Sequence, residues 1–217
     1  MKKTVMVLGL MIALTATSIS FAQQNSTMSG SGSTTMVGKE SKMAFDRLNK
    51  KGAEMVAAIK PMSAKLSSAD QALMMEVAKG GMMQLEVSKV AVQKASNEEV
   101  RQLAQAEVEE QTGLSAKLKE IAQAKGITLP STPDAETQRM VTELQGMSGM
   151  SFDRRYVTES GVKGHEKLDA VMSKVKANAS DSNLKEVEKV AHPLVKAHLK
   201  VAREVMNKMS GNSMGSR

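Results

Sequence analysis

The fold of this chain is decided by residues 96–126, SNEEVRQLAQAEVEEQTGLSAKLKEIAQAKG, which have the pattern of one long amphipathic helix. Ser96 is followed three residues later by Glu99, a capping-box pattern that predicts the start of the helix. Gly126 predicts its end, because glycine adopts the left-handed conformation of a helix terminus without steric cost. Apolar residues recur between these ends at helical spacing, so one face of the helix is predicted to be buried.

The sequence on both sides of this segment has the same character. It is rich in Ala, Lys, Glu, Met and Leu, poor in Gly and Pro, and contains almost no strand pattern. Long amphipathic helices with short connections bury their apolar stripes against one another, which predicts an all-α, up-down helical bundle. The further helices are predicted over about 40–65, 67–94, 132–145, 151–177 and 180–209.

Residue types that favour helix N-termini mark where these helices begin. The predicted starts are Ser67, Thr132-Pro133, Ser151, and Ser180 or Asp181. Pro193 lies inside the last helix and is predicted to bend it, because its ring removes one backbone hydrogen bond and crowds the preceding turn.

The N-terminal sequence MKKTVMVLGLMIALTATSISFAQQ has the three parts of a secretory signal. Lys2 and Lys3 precede an apolar segment, and Ser20-Phe21-Ala22 is a small-x-small cleavage site. Cleavage is predicted after Ala22, which places the mature protein in a bacterial periplasm or outside the cell. The alternative is an uncleaved membrane anchor, although the apolar run is short for a span of about 20 residues.

The remaining segments complete the predicted domain organisation. Residues 23–39 are rich in Ser, Gly and Thr, which predicts a flexible linker. An N-terminal helix is predicted over 40–66, the bundle over 67–209 and a disordered tail over 210–217. No segment after the signal is predicted to span a membrane.

The composition argues against several classes of function. The absence of cysteine excludes disulfides, thiolate metal sites, a cysteine nucleophile and a lipid-modified N-terminal cysteine. The net charge is +7, but Lys and Glu alternate at helical spacing, which indicates a solvated surface more than a basic patch for an acidic partner. After residue 22 the aromatic residues are Phe45, Phe152 and Tyr156, too few to stack bases, so no nucleic-acid partner is predicted. No nucleophile elbow, phosphate loop or zinc-protease motif is present, which disfavours an enzyme.

Polar residues interrupt the apolar stripes of three predicted helices. Glu107 and Glu110, flanked by Gln111, interrupt the helix over 96–126, and His165 and His198 interrupt the stripes of the last two helices. Bundle interiors are where carboxylate and histidine metal sites are built. A hydrogen-bonded core cluster without metal, or side chains that reach the rim of the bundle, are the alternatives.

The third histidine, His192, is not predicted to join this group. It precedes His198 by six residues, and a helix turns about 100° per residue, so the two side chains lie about 120° apart. His198 lies on the apolar stripe, whereas His192 lies off it and is predicted not to face inward.

Four stretches in this order resemble the domain-of-unknown-function 4142 family of exported bacterial proteins with a ferritin-like four-helix bundle. They are GMMQLEVSKVAVQKASNEEVRQLAQ (81–105), KGITLP (125–130), SFDRRYVTESGVKGHEKLD (151–169) and HPLVKAHLKVA (192–202), and the resemblance covers about 67–206. It implies a ferritin-like bundle here, with one extra N-terminal helix and a short connecting helix.

The resemblance extends to individual positions. His165 and His198 match two histidines of the family pattern, and Glu110 takes the place of an aspartate. Phe152, Asp153 and Tyr156 match its Phe-Asp-Tyr segment.

This sequence also departs from the family pattern, at His192, which stands in place of an apolar residue, and at three further positions. Gln111 stands in place of a histidine, and Gln84 stands in place of a glutamate, with Glu86 retained two residues later. Gly164 stands in place of an acidic residue. A neutral amide is a poorer ligand for a transition metal than imidazole or carboxylate, so these departures weaken the metal site that the resemblance implies.

The candidate site follows from the interrupted stripes and the resemblance together. The candidate ligands for iron, manganese or zinc are Glu86, Glu107, Glu110, His165 and His198. The predicted polar neighbours in the core are Gln84, Gln111, Asp153 and Tyr156.

Methionine is abundant, with 19 residues in the chain. Thioether sulfur suits Cu(I), which leaves copper handling as an alternative. The simpler interpretation is that methionine fills a helical core that has few aromatic residues. Exposed methionine on the first helix would instead mark a surface for a protein partner.

The leading functional hypothesis is an exported, non-enzymatic helical-bundle protein of the cell envelope with a structural, interaction or stress-related role. The alternative is a ferritin-like protein that binds iron, manganese or zinc, with redox activity as a further option. The sequence identifies neither a substrate nor a protein partner.

Overall fold

The computed structural model describes residues 35–211. The predicted signal peptide, residues 23–34 of the predicted linker and residues 212–217 of the predicted tail lie outside the described residues. Across 35–211, no helix combines the length and the apolar character that a membrane span requires.

The described residues are almost entirely helical, which confirms the predicted all-α class. A minimal hairpin of β1 (Met36–Val37) and β2 (Glu40–Ser41) precedes the helices. The helical elements are α1 (Lys42–Ala58), α2 (Ser68–Lys94), α3 (Glu98–Ala124), α4 (Ala135–Gln145), α5 (Gly149–Tyr156), a π-helical segment (Val157–Gly164), α6 (His165–Asn178) and α7 (Ser182–Gly211).

Four long helices form the bundle: α2, α3, the composite helix from α5 through α6, and α7. Helix α2 packs against α3 and α6, and α7 packs against α3 and α6. Helices α2 and α3 are antiparallel, as are α6 and α7. Between α3 and α5, α4 returns the chain to the end of the bundle where α3 began, so α3 and α5 run in the same direction. Helix α1 is the extra N-terminal helix and lies against α3 and α7.

The core consists of two apolar clusters at opposite ends of the bundle. The first cluster contains Leu103, Phe152 and Val201, and the second contains Leu114 and Met172. Each long helix contributes to both clusters. A buried polar layer lies between them, formed by Gln84, Ser88, Glu107, Glu110, Gln111, Ser160, His165 and His198.

Helix α1 is shorter than the predicted 40–66 helix and ends at Ala58. Ile59 is extended and Pro61 follows it, and a proline disfavours helical conformation in the residues just before it. The segment after α1 is held by Asn183, whose side chain donates to the carbonyl of Lys60 at 2.8 Å and accepts from the backbone N–H of Met62 at 2.8 Å.

The end of the predicted linker is ordered as the β1–β2 hairpin. Gly38 forms its turn with φ of 63°, and its backbone N–H donates to Glu99 Oε2 at 2.8 Å. A Cβ at this position would lie 2.7 Å from Glu204 Oε2. Two carboxylates from α3 and α7 therefore fix a segment that the sequence predicted to be flexible.

The predicted capping box of α3 is wrong by one residue. Asn97 is the cap, and its Oδ1 accepts from the N–H groups of Glu99 and Val100 at 2.8 and 3.2 Å. Ser96 instead donates through its backbone and hydroxyl to the carboxylate of Asp153. A contact from another helix therefore decided between two neighbouring residues that both favour caps.

Two other helix starts differ from the prediction by two or three residues. Helix α4 begins at Ala135, because Asp134 rather than the predicted Thr132 provides the cap and accepts from the N–H of Thr137 at 2.9 Å. Helix α5 begins at Gly149, ahead of the predicted cap at Ser151. Gly149 has a φ of 61° and follows an extended Ser148.

The predicted caps of α2 and α7 are confirmed. Ser67 Oγ accepts from the N–H of Asp70 at 3.0 Å, and Asp181 Oδ1 accepts from the N–H of Leu184 at 3.1 Å. Helix α7 continues through Pro193.

Candidate functional site

The centre of the polar layer is a carboxylate between two imidazoles. Oε2 of Glu107 lies 2.9 Å from Nε2 of His165 and 2.7 Å from Nδ1 of His198. The exposed fractions of these residues are 1%, 2% and 0%. One potential ligand atom from each residue lies within 4.8 Å of the other two. We call these three residues the central cluster.

Three different helices bring the central cluster together. Glu107 lies in the middle of α3, and His198 lies on the inward stripe of α7. His165 is the first residue of α6 and directly follows the π-helical segment. The sequence predicted an uninterrupted helix here, and π-helical turns are frequent at functional sites because they redirect side chains.

Each member of the central cluster is held at a second atom by another polar residue. Nδ1 of His165 lies 2.8 Å from Nε2 of Gln84 and 3.1 Å from the carbonyl oxygen of Ser160. A neutral imidazole accepts from the Gln84 amide at this position, whereas a protonated one donates to the Ser160 carbonyl. Both protonation states of His165 therefore find a partner.

Glu107 is oriented through its other oxygen. Oε1 accepts a hydrogen bond from Nε2 of Gln111 at 3.0 Å. Oε1 of Gln111 has no hydrogen-bond partner among residues 35–211. Gly81 makes room for this amide, because a Cβ there would lie 2.7 Å from Gln111 Oε1.

His198 is oriented by helix α1. Its Nε2 lies 2.7 Å from Oδ1 of Asn49 and 3.4 Å from Oε2 of Glu110. Both ring nitrogens therefore face oxygen atoms, Nδ1 that of Glu107 and Nε2 that of Asn49. The ring of Phe45 lies beside the imidazole, with 5.2 Å between the ring centroids.

The two buried glutamates have opposite electrostatic environments. Burial alone would raise the pKa of Glu107, but the charges and hydrogen bonds of His165 and His198 outweigh it and hold the pKa well below its usual range. Burial raises the pKa of Glu110 well above its usual value, and the negative charge of Glu107 raises it further. Glu107 is therefore ionised and Glu110 favours its protonated form.

The pKa of His165 is raised by its contact with this carboxylate. Burial opposes its charged form, but the charge of Glu107 and the hydrogen bond to it outweigh burial and raise the pKa of His165.

The structure brings together only part of the predicted ligand set. Glu110 lies next to the central cluster, on the opposite nitrogen of His198 from Glu107. Glu86 does not join the cluster, because its carboxylate pairs with Lys89 at 2.7 Å and its side chain is 33% exposed.

Of the four predicted polar neighbours, two contact the central cluster and two bind elsewhere in the bundle. Gln84 and Gln111 contact the central cluster. The hydroxyl of Tyr156 lies 2.9 Å from Ser88 Oγ, and burial raises the pKa of this phenol. Asp153 instead contacts the start of α3, where its carboxylate accepts from the backbone N–H groups of Ser96 and Asn97.

His192 has its own environment outside the cluster. It was predicted to lie off the inward face, but it is only 5% exposed. Its Nδ1 lies 2.8 Å from Glu188 and its Nε2 lies 2.8 Å from Asp169, so it links α7 to α6.

Sequence reasoning missed Asn49 and Ser160. Asn49 lies on the buried stripe of α1, four residues after Phe45 and three before Gly52. Helical spacing would have placed it on that face, but the sequence contained no signal that α1 covers His198. Ser160 was missed because its contribution to His165 is a backbone carbonyl in the π-helical segment.

The donor set of the central cluster fits a divalent transition metal. Two imidazole nitrogens and one carboxylate oxygen are ligands that iron, manganese and zinc accept. Bonds of about 2.0–2.2 Å to one ion place ligand atoms about 3–4 Å apart, and the three donor atoms lie within 4.8 Å of one another. The protons that now join these atoms would leave on binding.

Comparison with known proteins identifies the family. A family model described as Domain of unknown function (DUF4142) matches residues 56–205, which is more than half of the chain. No curated protein and no solved structure matches. The match spans the four bundle helices and all three residues of the central cluster. The chain therefore belongs to the domain-of-unknown-function 4142 family.

Proposed function

We propose that this protein is an exported helical-bundle protein of the cell envelope that binds a divalent transition metal, iron, manganese or zinc, at Glu107, His165 and His198. The observation that carries the proposal is the convergence of these three buried donors within 4.8 Å. Buried ionisable groups in native proteins are paired or bind a metal, and two imidazoles with a carboxylate are the donor types of a metal site.

The outer partners support this proposal. Metal-bound histidines usually have their second ring nitrogen held by another polar group, which orients the ring. His165 is held in this way by Gln84 and Ser160, and His198 by Asn49. Gln111 performs the same role for the carboxylate of Glu107.

Three protein donors would leave coordination positions open for water or a small ligand. A bound ion would supply Lewis acidity, and iron or manganese would also supply one-electron chemistry. The residues around the cluster hold the donors and exclude bulk water, because apolar clusters close the site on both sides along the bundle. We therefore propose a metal-holding role for the protein in the envelope.

A second candidate is a purely structural cluster in a non-enzymatic envelope protein. It is favoured by the hydrogen bonds that already satisfy Oε2 of Glu107 at 2.7 and 2.9 Å. In that case the ion pairs fix the register of α3, α6 and α7, and the protein acts through its surface.

Metal analysis separates these two candidates. The protein is purified from its native compartment, and its metal content is measured by mass spectrometry together with uptake of iron, manganese and zinc by the stripped protein. We expect stoichiometric metal that is lost in His165→Ala and in His198→Ala. His192→Ala is the matched control, because it also removes a buried histidine but lies outside the cluster.

Absence of metal from the native protein, with no uptake of the three ions, would refute the metal proposal. A retained helical circular dichroism spectrum in each variant separates loss of ligands from loss of fold. Mass analysis of the native protein tests export, since we expect its N-terminus at Gln23.

A further inference from the structure

A groove between α1 and α3 leads from the surface to the polar layer. Its volume is about 510 Å³, and it is lined by polar and small residues from both helices. The residues on its walls that matter here are Asp46, Asn49 and Ala53 of α1 and Glu109 and Glu110 of α3. The three residues of the central cluster do not line this groove, but Asn49 and Glu110 on its walls both face Nε2 of His198.

One buried carboxyl oxygen at the base of this groove lacks a hydrogen-bond partner. Glu110 is 8% exposed, and its Oε2 has no hydrogen-bond partner among residues 35–211. Asn49, beside it on α1, directs its Oδ1 toward Nε2 of His198 at 2.7 Å. A buried polar atom without a partner is costly, which indicates that a ligand binds here.

The imidazole of His198 separates these groups from Glu107. Its Nε2 faces Asn49 Oδ1 at 2.7 Å and Glu110 Oε2 at 3.4 Å, whereas its Nδ1 faces Glu107 at 2.7 Å. One ring therefore connects the base of the groove with the central cluster.

The charges in the groove suit a divalent cation. Lys42 pairs with Asp46, and Lys50 pairs with Glu54, so neither ammonium group stands alone. Carboxylate and amide oxygens, together with an imidazole nitrogen, are the ligand types that manganese, iron and zinc accept.

We propose that the α1–α3 groove is the entrance to the metal centre, and that Glu110, Asn49 and Nε2 of His198 form the first buried cation position on the way in. This inference rests on the proposed function. It assigns Glu110 a role in loading and leaves Glu107, His165 and His198 as the final ligands.

Metal uptake by the stripped full-length protein tests the proposal. The absorbance of Co²⁺ gives the rate of association in a stopped-flow instrument, and the absorbance at equilibrium gives the final content. Glu110→Gln removes the carboxylate at the base, and Ala53→Phe fills the groove from an exposed position on α1. We expect both variants to slow association by about tenfold, the scale on which outer residues affect metal sites, while the final content is unchanged.

Two matched controls accompany these variants. Glu120→Gln removes an exposed carboxylate on α3 that pairs with Lys117, away from the groove. Ala57→Phe adds the same bulk as Ala53→Phe at another exposed position of α1. We expect both controls to load at the wild-type rate.

The outcomes distinguish this inference from the proposed function. Wild-type association rates in both Glu110→Gln and Ala53→Phe would overturn the entrance while leaving the metal centre in place. Loss of the final content in Glu110→Gln would also overturn it, because Glu110 would then be a ligand of the centre. Absence of Co²⁺ uptake by the wild-type protein would refute the proposed function itself.

Discussion

His165 of α6 and His198 of α7 both hydrogen-bond to one atom, Oε2 of Glu107, at 2.9 and 2.7 Å. This shared oxygen ties three helices at the level where the two apolar clusters meet. The residues are 58 and 91 positions from Glu107 in sequence, so the contact exists only in the folded bundle. The same three donors are the proposed metal ligands.

Removing the charge of Glu107 should strongly destabilise the metal-free protein. Glu107→Gln leaves the buried imidazole of His165, whose pKa this carboxylate raises, without its counter-ion, and breaking a buried ion pair from one side costs about 3–5 kcal/mol. Urea unfolding measures this loss. Glu109→Gln is the control, because this exposed carboxylate accepts from Gln105 on the same helix, and we expect a change within about 0.5 kcal/mol. Equal stability of the two variants would contradict the arrangement described here.

Glu110 should make the metal-free protein less stable as the pH rises. Its folded-state pKa is raised. Its contribution to the free energy of unfolding is therefore fully present below its ordinary pKa of 4.5 and is lost as the pH rises through the folded-state value. We expect Glu110→Gln to raise the free energy of unfolding at about pH 8, by about 1.4 kcal/mol for each unit of the shift. At about pH 4 the variant and the wild type should be equally stable.

His165 acts in the same direction over this range. Its folded-state pKa is also raised, so its contribution is present below its ordinary value of 6.5 and is lost as the pH rises through the folded-state value. Glu110→Gln should therefore reduce the slope of stability against pH without removing it. Urea titrations across this range measure the slope, and an unchanged slope in the variant would show that Glu110 is ionised in the folded protein.

Two glycines of the bundle should respond oppositely to alanine. In Gly81→Ala the new Cβ would lie 2.7 Å from Gln111 Oε1 and displace the amide that orients Glu107, so we expect a loss of about 1–3 kcal/mol. Gly113 is exposed on α3, and apart from the backbone of its own helical turns no atom of residues 35–211 lies within 4 Å of an added Cβ, so Gly113→Ala should gain about 0.5–1 kcal/mol. Thermal unfolding measures whether each variant is more or less stable than the wild type. A loss in Gly113→Ala would show that helix propensity does not control that position.

Asp153 should prove structural and not part of the metal site. Its carboxylate accepts from the N–H groups of Ser96 and Asn97 at 3.0 and 2.9 Å, and from the Ser96 hydroxyl. Asp153→Ala leaves these donors unpaired and should cost about 2 kcal/mol or more, while metal content per folded protein stays at the wild-type level. Asp153→Asn retains an acceptor and should lose less. A metal deficit in folded Asp153→Ala would place Asp153 in the functional site.

The helices could be predicted well because their signals are local. Cap residues and apolar spacing located every bundle helix, and the caps at Ser67 and Asp181 agree with the structure. Errors arose where a distant group competed with a local signal. Ser96 is a good cap in isolation, but Asp153 takes its hydroxyl, and Asn97 caps the helix instead.

The candidate site could be predicted in part. Glu107, His165 and His198 were found because each interrupts an apolar stripe, and inward direction follows from helical periodicity alone. Glu86 was included through the family resemblance, but it projects toward Lys89 at the surface. Asn49 was missed because its role depends on α1 packing over α7, which no local pattern encodes.

The sequence by itself determined that this chain forms long amphipathic helices and that Glu107, His165 and His198 lie on their inward faces. Those properties depend on spacing within about 20 residues of one helix, where the backbone geometry is already known. Only the tertiary structure decided which inward groups meet. Contact between Glu107 and His165 depends on the axial register of α3 against α6, and that register is set by the packing of two apolar clusters built from every long helix.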